Sequence, residues 1–487
     1  MNSKKSLKVL LAASEMTPYA KTGGLADVVG SLPKALSDLG NVDVRTVIPK
    51  YKTIDDTEYG LEEIPEAIHF TIGGRSHEIK VKYLDSAEGW KAYFIDSEEY
   101  FGRDSLYGYD DDAQRFAFFA RAVLEMAKTL DFKPDIIHCN DWHTGLIPTY
   151  LKTIYSDDPF LKDSATIFTI HNLGYQGAFP KEVLPELDLG WEEFTPEKLE
   201  FWGDICLIKG GLVYSDIINT VSEKYAEEIQ TPQYGERLDG LLSDRRDVLH
   251  GIVNGLDYSV WDPATDENIV RNYDISSIED KVESKLALQR ENNMSEDPHA
   301  PLLGIVSRLS DQKGLDMIGD AVHDMVSLGA QFVLLGTGDE SYHQLFQKLA
   351  DDFPDSVGVN LLFSEAVARH IYAGSDMFLM PSRYEPCGLG QLISMRYGTI
   401  PVVRKTGGLA DTVQEYDPET GSGTGFCFED ESATALMSAV KRALEIYSDK
   451  ANWGKLVLNA MKADFSWENS ARKYANLYKD AMTKHFG

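Results

Sequence analysis

Short runs of β-branched and other apolar residues alternate with segments of helical periodicity along almost the whole chain, and this constrains the fold more than any other feature. The strand-like runs fall at residues 8–14, 42–49, 134–139, 165–170, 217–221 and 248–253, then at 301–306, 331–335, 359–363, 376–381 and 400–404. Strands separated by helices return in parallel, which calls for doubly wound α/β sheets covered by helices on both faces. One stretch departs from the rule. From 67 to 95, strand-like runs crowd around Gly73-Gly74 and read as an antiparallel insert. A chain of 487 residues exceeds one core, so two Rossmann-like domains are expected. The break is placed after Asn254-Gly255, giving 1–255 and 256–463. Residues 464–487 form a terminal helix, with Trp467, Ala471, Tyr474, Tyr478 and Ala481 at helical spacing. Periodicity leaves open which domain that helix packs on.

Charge then narrows the ligands. Lys and Arg number 47 against 78 Asp and Glu, a net charge of −31. Such a field repels polyanions and argues against nucleic-acid binding. An anionic substrate must therefore be met by a few cations placed locally. Cys139, Cys206, Cys387 and Cys427 are scattered, with neither a disulfide framework nor zinc-ligand spacing, as suits a reducing cytosol. Lys4, Lys5 and Lys8 precede the apolar run 9–13, but Ser14-Glu15 ends it at once; it reads as a first strand and not as a signal peptide. No stretch approaches the roughly 20 apolar residues of a membrane span. The expectation is a soluble, cytoplasmic enzyme with no nucleic-acid or membrane partner; oligomeric state is left open.

The chain also repeats itself. Residues 21–29, KTGGLADVV, recur at 405–413 as KTGGLADTV, with one difference in nine. Each copy follows a strand-like run and opens a helix-like segment. An inherited strand–turn–helix corner explains the identity. So does a shared need for bare backbone N–H groups near phosphate or sugar, and the two explanations are compatible.

Ligands of doubly wound sheets bind beyond the carboxyl ends of the strands, and the residues there are polar or glycine-rich. They are 21–27, 140–143 and 171–172 in the first half, then 308–313, 336–339, 383–390 and 405–411. Lys21, Arg308 and Lys313 are cations able to meet a diphosphate, Arg through a bidentate fork and Lys as a mobile charge; each also fits a solvated surface. Glu385 lies just before the Gly388-Leu389-Gly390 helix start, as a cap or as a site carboxylate. His171 fits a strand-end histidine bonded to backbone, Asp141 a helix cap, and Trp142 a core ring. His138 and His143 look like a metal pair, but no third ligand accompanies them, and no metal is expected.

These motifs, in this order, resemble those of bacterial glycogen synthases and plant starch synthases. The resemblance rests on Ser14-Glu15 with 21–27, on 140–143 (NDWH), 169–172 (TIHN) and 253–255 (VNG), and on 307–309 (SRL), 312–315 (QKGL), 381–388 (PSRYEPCG) and 406–411 (TGGLAD). It spans essentially the full length. It implies a GT-B fold, two Rossmann-like domains facing an inter-domain cleft, with the donor held mainly by the C-terminal one. It also implies that the last helix returns to the N-terminal domain and that no metal or other cofactor is used. The implied substrates are ADP-glucose and an α-1,4-glucan, with glucose transferred to the non-reducing-end 4-hydroxyl with retention.

By position, the resemblance implies that Arg308 and Lys313 clamp the donor diphosphate, with Lys21 near the phosphates. The backbone of Gly24, Gly388, Gly407, Gly408 and Leu409 approaches phosphate and glucose. Glu385 holds glucose hydroxyls or supports the developing oxocarbenium ion. His171 and Asn254 orient the sugar; Asp141, Tyr107 and Trp142 lie on the acceptor side. Phe363, placed at a strand end near the expected base site, is a candidate for stacking on the base. Prepositioned charge at the leaving diphosphate and at the anomeric carbon is the physical core of such a mechanism. Two positions depart from the family. Ile393 stands where many retaining GT-B enzymes carry a second glutamate for the ribose, and Gly390 where some bacterial synthases carry Thr. The competing readings are a GT-B transferase with another sugar or acceptor, and a catalytically silent glucan-binding protein.

Overall fold

The computed structural model describes residues 6–86 and 89–487. Lys4 and Lys5 of the basic N-terminal stretch lie outside them. The chain divides into two compact units, 1–221 with 226–255 and 467–487, and 222–225 with 256–466.

Among the described residues the first unit is built on a ten-stranded sheet. Leu7–Ala12 lies at its centre, between Val42–Pro49 and Ile136–Asn140, both parallel to it. Ala165–Ile170, Ile217–Thr220 and Leu249–Gly251 continue one flank, all parallel. On the other flank Lys91–Asp96 pairs parallel with Val42–Pro49, and only beyond it does the sheet turn antiparallel, at Arg75–Asp85. The insert read from 67–95 is therefore smaller than expected. It is the hairpin Ile68–Ile72/Arg75–Asp85, closed by Gly73 (φ 58°) and Gly74 (φ 70°), both left-handed as a tight hairpin turn requires. Lys91–Asp96, by contrast, belongs to the main sheet. A separate small antiparallel sheet of Ala178–Pro180, Asp204–Cys206 and Glu200–Phe201 completes the unit.

The second unit carries a six-stranded parallel sheet in the order Val357–Asn360, Gln331–Leu335, Leu302–Val306, Met377–Met380, Ile400–Arg404, Phe426–Phe428. The strand expected at 359–363 ends earlier, at Asn360, and leaves Phe363 in the following loop. In both sheets the strand order reverses beside the first strand of the unit. That switch point opens a crevice at the carboxyl ends of the central strands. Two loops border it in each unit, after Ala12 and Asn140 in the first and after Val306 and Met380 in the second. Among the described residues no helix is long and apolar enough to cross a membrane.

The helix Trp467–Phe486 packs within the first unit, on the helix Gly24–Asp38 and the strand Ala165–Ile170. Its buried face is tied by polar contacts as well as by apolar ones. Asn219 Nδ2 donates to Tyr474 Oη (3.1 Å), Tyr478 Oη hydrogen-bonds with His138 Nδ1 (3.1 Å), and Ser470 Oγ donates to the Val253 carbonyl (2.7 Å). His138 is thereby a packing residue, its other nitrogen bonded with Thr169 Oγ1 at 2.7 Å. At the far end His485 Nδ1 lies 3.0 Å from Asp216 Oδ2, and its Nε2 3.0 Å from the Lys162 carbonyl. The bond and charge of Asp216 raise the His485 pKa. A raised histidine stabilises the fold below its unfolded pKa, and that contribution is lost as pH rises through the folded value. We predict that His485→Gln accelerates amide hydrogen exchange in the last two turns of this helix markedly at pH 6 and only slightly at pH 8.5. Equal acceleration at both values would refute the ionic latch.

Candidate active site

Glu15, just beyond the first strand, organises the first unit's loops. Its carboxylate is 4% exposed. It accepts from Thr22 N (2.6 Å), Thr22 Oγ1 (2.6 Å), Gly23 N (3.2 Å) and the Tyr107 hydroxyl (2.7 Å). A buried carboxylate must be satisfied in this way or lose its charge. The amides at the N-terminus of the helix Gly24–Asp38 are thus partly engaged by a side chain of the protein itself. Lys21 is exposed and pairs with Asp27 (2.6 Å) inside the same motif. Gly23 and Gly24 face open space on the side where a Cβ would sit.

The loop after Ile136–Asn140 is strained. Asp141 has φ 55° and ψ 178°, a region that only glycine occupies with ease. The strain is held by a closed set of bonds. Asp141 N donates to the Thr169 carbonyl (3.0 Å), and Asp141 Oδ1 accepts from His171 N (2.8 Å). Asn140 Nδ2 donates to the Ala12 carbonyl (3.0 Å), and Asn140 Oδ1 lies 2.9 Å from His171 Nε2. Burial raises the Asp141 carboxyl to about 7, against two backbone N–H groups that pull it down. Burial likewise lowers His171 to about 3, leaving a neutral imidazole. Trp142 is 8% exposed, stacked on His143 (3.9 Å between ring centres) and packed against Gly177; it is a core ring here. His143, enclosed by Trp142, Tyr107 and Phe116, is buried with neither ring nitrogen partnered among the described residues. Asn254, buried after the strand Leu249–Gly251, likewise has an unpartnered Oδ1. Unpaired buried polar atoms are uncommon and call for a partner.

In the second unit Glu385 and Lys313 meet. Lys313 Nζ lies 2.6 Å from Glu385 Oε2, and Ser382 Oγ donates to the same oxygen at 2.8 Å. Glu385 is 6% exposed. The two loops carrying the pair are laced together. Arg383 forks onto Asp316 (3.0 and 2.8 Å), Arg383 N donates to the Gln312 carbonyl (2.8 Å), and Gln312 Nε2 donates to the Tyr384 carbonyl (3.1 Å). Buried Arg404 closes the base, donating to the carbonyls of Arg383 (2.7 Å) and Glu429 (2.9 Å). Arg308 stays exposed on its loop. Phe363 is 86% exposed.

Gly407 and Gly408 do something their sequence twins do not. A Cβ on Gly407 would strike the Glu385 carbonyl, and one on Gly408 the Cys387 backbone. Gly407 also has φ 42°. The amide of Gly408 donates to the Glu385 carbonyl (3.0 Å) and that of Leu409 to Thr406 (3.0 Å), while the Leu409 side chain lies in the core. Both amides are bonded within the protein, and the glycines bring the loop under Glu385. Gly388 takes a left-handed conformation (φ 74°) on that same loop. Glu15, Ser382, Arg383 and Arg404 escape sequence reasoning, because each acts through partners that only the fold brings near. Among the described residues no group of three or more His, Cys, Asp and Glu side chains is placed to hold a metal ion.

Residues 8–244 match the profile of the starch synthase catalytic domain, and residues 288–457 that of glycosyl transferases group 1. Over 99% of its length the chain is 51% identical to a glycogen synthase of Desulforudis audaxviator, covering 97% of that protein. The chain belongs to the glycogen synthase family. The family's Thermotoga maritima glycogen synthase is 47% identical over 98% of the chain and 99% of its own length. Among solved structures, the catalytic domain of starch synthase IV from Arabidopsis thaliana, bound to ADP and acarbose, matches with a TM-score of 0.91 and 34% identity, over 98% of this chain and all of that one. A sucrose-phosphate synthase from Thermosynechococcus elongatus shares the fold, with a TM-score of 0.61 at 19% identity. The two Rossmann-like units are therefore those of the family's GT-B fold.

Two predictions follow from this geometry. Gly408→Ala overpacks the loop under Glu385 and costs about 1–3 kcal/mol, read as a melting temperature lowered by several degrees, whereas Gly24→Ala leaves it within about a degree. Equal shifts would show that the two copies of the motif pack alike. For Asp141, the folded pKa is raised, so its contribution to stability is present at low pH and lost as pH rises toward and past about 7. Asp141→Asn should thus gain in melting temperature relative to the parent between pH 4.5 and 8. A difference independent of pH would mean that Asp141 does not titrate in this window.

Proposed function

We propose that this protein transfers glucose from ADP-glucose to the non-reducing-end 4-hydroxyl of an α-1,4-glucan of the glycogen type, with retention of configuration. The observation that carries the proposal is the Lys313–Glu385 pair at the switch point of the second unit. It is an ammonium and a buried carboxylate, 2.6 Å apart, held by loops that Arg383 and Arg404 fix in place. Full-length kinship with proteins named glycogen synthase, and a structural neighbour solved with ADP and acarbose, supports the choice of substrates.

The chemistry separates opposite charges. Breaking the sugar–phosphate bond loads negative charge onto the leaving diphosphate and positive charge onto the anomeric carbon. Lys313 and exposed Arg308 stabilise the first, and the Glu385 carboxylate supports the second or fixes the glucose hydroxyls. All are positioned in advance, which is what makes electrostatic stabilisation effective. Phe363, bare after its strand, offers a ring to the base. The first unit supplies the acceptor groups. Asp141 and His171 stand at its strand ends, and the Asn254 oxygen, unpartnered among the described residues, is a polar group that a bound sugar would satisfy. With cations already aimed at the phosphates, turnover needs no divalent ion. Four free, buried cysteines fit a cytoplasmic setting.

The decisive measurement is glucose incorporation into glycogen from ADP-glucose and UDP-glucose side by side, with the released nucleotide quantified and EDTA present in a parallel set. Strong transfer from ADP-glucose, unaffected by EDTA, is expected. Lys313→Ala, Arg308→Ala and Glu385→Ala should each lower turnover by about 10² or more in folded protein. Preference for UDP-glucose would overturn the donor assignment, and near-normal turnover in the three variants would overturn the assigned roles.

A further inference from the structure

Arg115, in the first turn of the helix Asp112–Thr129, is completely buried and has no part in the chemistry above. Its carboxylate partner Asp112, 2.5 Å away through Oδ1, is buried too. Nη2 of Arg115 has no partner among the described residues. A buried ion pair is often no more stabilising than apolar residues of the same size, and an unpaired buried polar atom costs stability. Folding alone therefore gives little reason to keep an arginine here.

What the pair does is fix a loop from both sides. Arg115 Nε donates to the Tyr100 carbonyl (2.7 Å) and Nη1 to the Leu106 carbonyl (3.1 Å). Asp112 Oδ2 accepts from Gly108 N (2.8 Å) and Tyr109 N (3.3 Å). Tyr107 lies between these points. Its hydroxyl donates to Glu15 Oε1 (2.7 Å), and Glu15 in turn accepts from Thr22 N, Thr22 Oγ1 and Gly23 N. The Tyr107 ring also lies 4.4 Å, centre to centre, from that of His143, two residues beyond Asp141. Burial, and after it the Arg115 charge, hold His143 well below its usual pKa, so its ring meets Tyr107 neutral.

We infer that Arg115, paired with Asp112, is a positioning residue for glucosyl transfer: it holds 106–109 so that Tyr107 keeps Glu15, and through Glu15 the Thr22–Gly23 turn, in working geometry. The inference rests on the transfer reaction proposed above and adds to it a residue sealed from any substrate. Arginine suits the task better than lysine. A planar fork reaches two carbonyls and a carboxylate at fixed angles, whereas an ammonium on a flexible stem is a mobile point charge. Displacing groups aimed at a reaction by about 1 Å can cost about 10²-fold in rate. A loosened 106–109 segment therefore acts on turnover more than on ground-state affinity.

The test uses the full-length protein with Arg115→Lys, Asp112→Asn, Tyr107→Phe and the double variant Arg115→Lys/Tyr107→Phe. Steady-state kinetics with ADP-glucose and glycogen are read per folded protein, beside amide hydrogen exchange of the segment containing Thr22 and Gly23. Arg115→Lys and Asp112→Asn should each lower kcat about tenfold, with both KM values within about twofold of the parent. Exchange at Thr22 and Gly23 should quicken about tenfold in each, although neither residue touches that turn. The double variant should be slower than Tyr107→Phe by no more than about twofold, because both changes break one chain of contacts. A lower melting temperature with unchanged kcat would make the pair a packing element and overturn the inference. So would exchange at Thr22 and Gly23 that stays at the parent rate, or losses that multiply in the double variant. Should Arg115→Lys not fold, Asp112→Asn decides by the same readouts, and loss of folding in both would mark the pair as structural. Wild-type protein that transfers no glucose, with exchange at the turn still governed by Arg115, would sink the proposed reaction and leave Arg115 as the anchor of that turn.

Discussion

Each unit buries one carboxylate just past the ends of its central strands, and the loops around it take the shape that keeps that charge satisfied. A carboxylate removed from water without partners costs several kcal/mol or gives up its charge. In the first unit Glu15 is met by two amides and two hydroxyls, so the Thr22–Gly23 turn and the Tyr107 ring are fixed together. In the second, Glu385 is met by Lys313 and Ser382, which ties the loop after Leu302–Val306 to the loop after Met377–Met380. These two anchors fix the loops that carry Thr22, Tyr107, Lys313 and Ser382.

The site is also where stability is given up. Asp141 combines a backbone conformation suited to glycine with a carboxyl that burial raises to about 7. His143 lies buried with both nitrogens unpartnered among the described residues, and Asn254 with its oxygen so. The strained backbone of Asp141 and the unpaired atoms of His143 and Asn254 each cost the fold stability. Cores are usually built to avoid such groups.

Much of the fold was legible because the strands read as short runs rich in β-branched and apolar residues, separated by helical patterns. Val42–Pro49, Ala165–Ile170, Gln331–Leu335 and Ile400–Arg404 fall where the sequence placed them. Three-residue strands such as Phe426–Phe428 carry too little periodicity to be seen, and Lys91–Asp96 was hidden because its parallel partner lies before the hairpin in sequence. At the site, the polar clusters at strand ends were visible as residue types, but their pairing was not. Tyr107 reaches Glu15 across 92 positions and Lys313 reaches Glu385 across 72. No local pattern encodes such contacts; they follow from sheet order, which sets the strand ends that become neighbours.

The repeated KTGGLAD motif shows where identity of sequence stops implying identity of role. Both copies open a helix, the second directly after the strand Ile400–Arg404 and the first only after the loop 13–23 that follows Leu7–Ala12, and in both the glycines lie beside the unit's buried carboxylate. In the first copy the carboxylate side chain grasps the turn, Lys21 is tied to Asp27 of its own motif, and the glycines border open space. In the second the turn grasps the main chain of Glu385, Lys405 pairs with Glu429, and the glycines are filled by backbone. A steric need alone accounts for Gly407 and Gly408. It does not account for Gly23 and Gly24, where a side chain would meet nothing; Gly23 is the N-cap of its helix, a position that prefers glycine to alanine. The second copy keeps its glycines so that the Glu385 loop can sit where it does, and no contact among the described residues of the first unit makes the same demand of Gly23 and Gly24.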